Sequence, residues 1–109
     1  MADQNQPPKG AQQINIELPA ETARGVYSNL AVISHSESEV VMDFIQVFSG
    51  TPKAEVRSRV IMTPQNAKRV LMALRDNLEK YEKNHGELKL AERRDIQLPP
   101  NFGGPTGMA

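Results

Sequence analysis

Residues 39–62 read EVVMDFIQVFSGTPKAEVRSRVIM and run directly into TPQNAKRVLMALRDNLEKYEKNHG, residues 63–86. In the first segment Val40, Met42, Phe44 and Phe48 fall on one side of an alternating pattern. Val41, Ile45 and Val47 fall on the other, with Asp43 among them. That pattern predicts a strand, Val40 to Phe48, apolar on both faces and so covered twice. One cover is the domain's own helix, and the other is the natural place for a partner subunit. Ser49 to Lys53 supplies a turn through Gly50 and Pro52. If Phe48 faces Ala54, Asp43 lies opposite Arg59 and Ile45 opposite Arg57, an opposite-charge pair contributing ~0.2–1 kcal/mol across the ladder. In that register Ala54 to Met62 is a one-sided strand. Val56, Val60 and Met62 face the core, and Glu55, Arg57 and Arg59 face outward.

Thr63 then fits a helix N-cap and Pro64 the first helical position, where a missing N–H costs nothing. Ala67, Val70, Leu71, Leu74, Leu78 and Tyr81 recur at three- and four-residue spacing and form an apolar stripe. Asp76–Lys80 and Glu79–Lys83 are spaced for exposed ion pairs. Gly86 marks the stop.

Upstream, Ile14, Ile16 and Leu18 alternate with Asn15 and Glu17, which predicts a short strand over Gln13 to Leu18, ended by Pro19. Ala20 to Arg24 is read as a connection. Val26 to Ser34 is a further strand without a clearly wet face, followed by a polar turn at His35 to Ser38. Downstream, Glu87 to Arg94 could extend or restart a helix, whereas the remainder is too rich in Pro and Gly to do so. The expected organisation is a disordered tail over residues 1–12, a single domain over 13–88, and a flexible or docking tail over 89–109. The docking candidates on that tail are Ile96, Leu98 and Phe102.

The chain has 109 residues, enough for one domain, with thirteen basic and thirteen acidic residues and no cysteine. A domain of this size buries only about 60–65% of the surface its unfolded chain exposes, so association would relieve marginal stability. Zero net charge offers no global excess of cations for non-specific nucleic-acid binding. The absence of cysteine excludes disulfides, thiolate metal sites and thiol nucleophiles. Neither a secretory signal nor a membrane-length apolar run is evident, and the expected location is the cytoplasm.

No catalytic apparatus stands out. His35 sits beside Ser34, Ser36, Glu37 and Glu39, but a triad requires geometry, not adjacency, and this is also the ordinary composition of a polar loop. The same residues lack the spacing of a closed metal site. Gly103-Gly104 does not lie between a strand and a helix, so there is no phosphate loop. The expectation is therefore a non-enzyme without catalytic residues, metal or cofactor. The sharpest positive signal is basic: Arg57 and Arg59 on one strand, Lys68 and Arg69 (with Arg75) on the helix, Arg93-Arg94 on the tail. Acidic neighbours make a solvated mixed-charge face the plainer account, with partner binding the alternative. Aromatic residues for base stacking are scarce. Asp43 is expected to be held structurally by Arg59. Met42, Met62 and Met72 are expected as core filler.

Several segments together carry a resemblance: GVYSNLAVISHSESEVVMDF, with Tyr27-Ser28-Asn29 and Asp43-Phe44; SRVIMTP, with Arg59 before Met62-Thr63-Pro64; and NLEKYEKNHGEL, with Tyr81-Glu82 before Gly86. Over Ile14 to Leu88 they resemble the bacterial and archaeal domain-of-unknown-function family 3467. The resemblance brings no activity and no catalytic residues. It does imply a link to transcription, since genes of such relatives often lie beside those for the large RNA polymerase subunits.

The predicted fold is thus α+β, an antiparallel sheet of three to four strands with one long C-terminal helix packed on it. The expected function is a non-enzymatic protein-interaction domain, an accessory factor or subunit of the bacterial RNA polymerase machinery, present as a homodimer or stable complex. Two alternatives accompany it. One is a nucleic-acid-binding dimer with Arg57, Arg59, Lys68 and Arg69 on phosphates, and the other is a structural homodimer. A small enzyme with a pocket near His35 and Asp43 ranks last.

Overall fold

The computed structural model describes residues 10–91. Its elements follow in the order α1 (Ala20–Ala23), β1 (Leu30–His35), β2 (Val40–Val47), β3 (Ala54–Met62) and α2 (Pro64–His85). The three strands form one antiparallel sheet in the order β1-β2-β3, with β2 in the centre. The chain is α+β, with a three-stranded sheet and a C-terminal helix.

The fourth strand expected at Gln13 to Leu18 is absent. Those residues belong to no strand, and Ile14, Ile16 and Leu18 are exposed. Alternation shows that a segment could lie on a sheet face, but not that a sheet edge is available to it. β1 begins at Leu30 rather than Val26, and Val26 and Tyr27 are exposed ahead of it. Ala20 to Ala23, read as connection, forms a single helical turn. Residues 87–91 are not helical, so the extension considered there does not form over these residues.

Register departs from expectation by one residue at the turn. Val47, not Phe48, faces Ala54, and Ile45 faces Val56 rather than Arg57. Between Phe44 and Ile45 the ladder slips, because Ser58 and Val56 are paired and Arg57 between them is not. This β-bulge restores the expected alignment beyond it, so Asp43 does face Arg59. Gly50, with φ +77°, supplies the left-handed residue of the turn.

Cross-strand partners share a face. One face carries Leu30 and Val32 of β1, Asp43 and Ile45 of β2, and Arg59 and Ile61 of β3. The core lies here: Leu30, Val32 and Ile45 are buried, with Val47 packed against them. Arg59 therefore stands on the core-bearing face, not the outer one. Val60, Met62 and Met42 lie on the opposite face. Val56, opposite Ile45, is on the core-bearing face as expected, but both it and Val60 are exposed. Met42 and Met62 are half-buried, while Met72 on α2 is exposed and fills no core.

Residues 28 and 29 pin the start of β1. The Asn29 side chain continues the ladder where the strand has not yet begun. Its Oδ1 accepts from the Val47 N–H at 2.8 Å and its Nδ2 donates to the Val47 carbonyl at 3.1 Å. Ser28 Oγ lies 2.8 Å from the Leu30 carbonyl and 3.1 Å from that of Ile45.

α2 starts as its sequence dictates. Thr63 is extended, its Oγ1 accepts from the Asn66 N–H at 3.1 Å, and Pro64 opens the helix. At the other end Gly86, with φ +95°, donates its N–H to the Glu82 carbonyl at 2.8 Å. The Leu88 N–H then donates to Glu82 Oε2 at 2.9 Å. Removing the cap oxygen should cost about 1 kcal/mol of stability. Thr63→Ala is expected to lower the urea midpoint accordingly, and Thr63→Ser to retain it.

Candidate interaction surface

The apolar stripe predicted on α2 forms, but it is not covered. The helix has no buried residue. Leu71 is 53% exposed, Leu74 55%, Leu78 42% and Tyr81 47%. Ala67 and Val70, near the start of the helix, are half-buried. The expected layer of helix across sheet is therefore not closed within one chain. Fully burying a Leu or Tyr side chain is worth about 1.5–3 kcal/mol. Four side chains about half exposed thus leave roughly 3–6 kcal/mol ungained. A contiguous apolar stripe of this kind marks an association surface more often than chance exposure does.

The rest of the helix surface is charged. The expected pairs Asp76–Lys80 and Glu79–Lys83 are not closed. The ion pairs among the described residues lie on the sheet instead, Arg57–Glu55 and Arg59–Asp43. Arg57, at the bulge, reaches Glu55 at 3.5 Å. Arg59 makes a bidentate fork on Asp43, Nε to Oδ1 at 2.6 Å and Nη2 to Oδ2 at 2.9 Å. Asp43 is only 4% exposed, and its partner side chain is 59% exposed, so the guanidinium lids a buried carboxylate. Hydrogen bonding and then Coulomb attraction to Asp43 raise the Arg59 pKa above its ordinary value. Arg59 stays charged and committed.

The basic cluster consequently does not act as one unit. Arg57 and Arg59 are engaged by carboxylates, while Lys68 and Arg69 stand apart on the exposed first turns of α2. Ile96, Leu98 and Phe102, together with Arg93 and Arg94, lie outside the described residues.

The polar loop at His35 also has a structural explanation. Ser36 Oγ accepts from the backbone N–H groups of Ser38 (3.4 Å) and Glu39 (3.2 Å), and Ser36 N–H donates to the Glu39 carbonyl. The serine thus closes the β1–β2 turn. Among the described residues no group of three or more His, Asp or Glu side chains is placed to hold a metal ion. No helix among them is long and apolar enough to cross a membrane.

The model of the family described as protein of unknown function, DUF3467, matches residues 1–90. The chain belongs to the DUF3467 family. The match takes in residues 1–13, which the resemblance read from individual motifs leaves out, and ends where the tail begins. No curated protein and no solved structure matches the chain.

The family's local signatures now have physical roles in this chain. Ser28 and Asn29 fasten β1 to β2, Asp43 and Arg59 neutralise each other inside the sheet face, and Thr63-Pro64 starts the helix. The feature that sequence reasoning missed is a finer spacing on α2. Ala67, Leu71, Leu74, Leu78, Tyr81 and His85 follow one another at intervals of 4, 3, 4, 3 and 4 residues. That is a heptad seam, detectable in the sequence had the period of 3.5 been distinguished from 3.6.

Proposed function

We propose that this DUF3467 chain is a non-enzymatic protein-interaction domain that docks through the apolar stripe of α2. One observation carries the reading: a 22-residue helix, well capped at both ends, has no buried residue and leaves Leu71, Leu74, Leu78 and Tyr81 of its apolar stripe about half exposed. Helices in proteins owe most of their stability to packing of an amphipathic face. A stripe this regular, on a helix this long, is explained by a partner that covers it. Transcription machinery supplies the first candidate, through the gene neighbourhood that the family resemblance implies, and the proposed role is that of an accessory factor of RNA polymerase.

Tagged protein recovered from its own cells tests this. RNA polymerase subunits are expected to accompany the wild-type chain through high salt and to be lost from Leu74→Glu/Leu78→Glu. That variant should melt as the wild type does at low concentration, because both positions are exposed. Equal recovery of polymerase by the variant would contradict docking through α2.

A further inference from the structure

We infer that the seam of α2 pairs with the α2 of a second copy, antiparallel and about a two-fold axis near Asp76. The inference rests on the docking reading above and makes a second copy the direct cover of the stripe, so that a further partner such as the polymerase meets the paired helices and not the bare stripe. Three observations carry it.

The first is the period. A helix laid on a sheet presents a broad apolar face at 3.6 residues per turn, whereas a strict 4-3 alternation is the signature of a helix meeting a helix. Leu71, Leu74, Leu78 and Tyr81 keep that alternation along the exposed part of α2, with Ala67 and His85 continuing it at the two ends and Val70 flanking it.

The second is self-complementarity. A two-fold axis requires each contact to occur twice. Antiparallel pairing sets Leu74 against the partner's Leu78, Leu71 against the partner's Tyr81, and Ala67 against the partner's His85. Small faces large at each end, and Tyr81 and His85, whose rings already lie 4.8 Å apart, close both ends of the seam. Beside the seam, Lys68 comes alongside the partner's Glu82, once at each end. A parallel pair would stack Ala67 on Ala67 and His85 on His85, bring the two Lys68 side chains to the same end, and align the helix dipoles. Thr63 alone separates β3 from α2, so antiparallel helices also carry their two sheets to opposite ends.

The third is area. A 22-residue helix is about 33 Å long. Two such helices in contact along that length, with the stems of Lys68 and Glu82 folded against the seam, bury on the order of 1,000 Å² in total. That is where specific interfaces begin. The expected dimer is therefore reversible, and it forms in the micromolar range.

Sedimentation equilibrium of the full chain is the test. The 12.1 kDa chain is expected to sediment at twice that mass at tens of micromolar. Leu74→Glu/Leu78→Glu should remain monomeric at every concentration reached, with an unchanged far-ultraviolet spectrum. Lys68→Glu alone, and Glu82→Lys alone, should each weaken the dimer roughly tenfold by placing like charges together at both ends. The two combined should restore it, since each reversed residue then meets the other.

A wild-type chain that stays monomeric at 100 µM overturns the pairing. So does a dimer that the two glutamates leave intact, or one that the double reversal fails to rescue. If the wild type is monomeric but Leu74→Glu/Leu78→Glu still releases RNA polymerase, the docking reading survives and only the self-pairing falls. If the two glutamates change neither property, both fall.

Discussion

Arg59→Leu is expected to be among the most destabilising single substitutions in the sheet. It leaves the Asp43 carboxylate, 4% exposed on the central strand, without the fork that neutralises it. Removing one partner leaves the buried carboxylate uncompensated, and water entering the edge that the exposed guanidinium vacates moderates the loss. A clear fall in Tm is expected. Asp43→Leu combined with Arg59→Leu should recover most of the loss, because replacing both members of a buried pair by apolar side chains is often neutral. Arg59→Lys should recover only part, as an ammonium cannot make the bidentate contact. Urea midpoints of the four proteins check this. Equal midpoints for wild type and Arg59→Leu would show that the carboxylate is not burdened by its burial.

Ile45→Ala has the second large effect. Ile45 is 3% exposed, faces Leu30 across the ladder and belongs to a core of three buried apolar residues among the described residues. Truncating such a side chain removes about 2–5 kcal/mol, and in a core this small there is little to collapse into the space. Leu74→Ala offers the contrast. It deletes similar chemistry from a position 55% exposed, so at low protein concentration it should cost well under 1 kcal/mol. A comparable loss from both would mean that α2 is already buried in the single chain.

How far the sequence could be read depended on whether a signal was local. The cap at Thr63-Pro64, the stop at Gly86 and the full extent of α2 were legible because each is decided by the residues present at that spot. β3 and most of β2 were legible for the same reason. The partner of Asp43 was found from a register whose anchor was wrong by one residue, and the bulge at Arg57 compensated for the error. No propensity at Arg57 announces a bulge, because a bulge is set by how two strands meet. The facing of β3 was misread beyond the bulge, where the alignment was right: the core was assigned to the face of Val60 and Met62, whereas it lies on the face shared by Val32, Asp43 and Arg59.

Ile14 to Leu18 failed for a different reason. An alternating segment records which of its faces could be buried and is silent about what buries it. The same limit hid the state of α2. Its stripe was plain in the sequence, and the sheet was the obvious cover, yet in the single chain the stripe faces solvent. Ser28 and Asn29 were visible only as a family signature. The bond from Ser28 to Leu30 is local, but those to Ile45 and Val47 depend on a strand pairing formed seventeen and eighteen residues away.

On the proposed reading the α2 stripe is covered when the protein works. Hydroxyl-radical footprinting inside the native cells measures this directly, whatever the cover is, by comparing the labelling of Leu71, Leu74, Leu78 and Tyr81 with that of the purified chain at nanomolar concentration. Strong protection of these four residues in cells, with Leu18 and Met72 labelled similarly in both, is the predicted result. Equal labelling of the stripe in cells and in the dilute chain would show that it works uncovered, and would contradict an interaction domain built on α2.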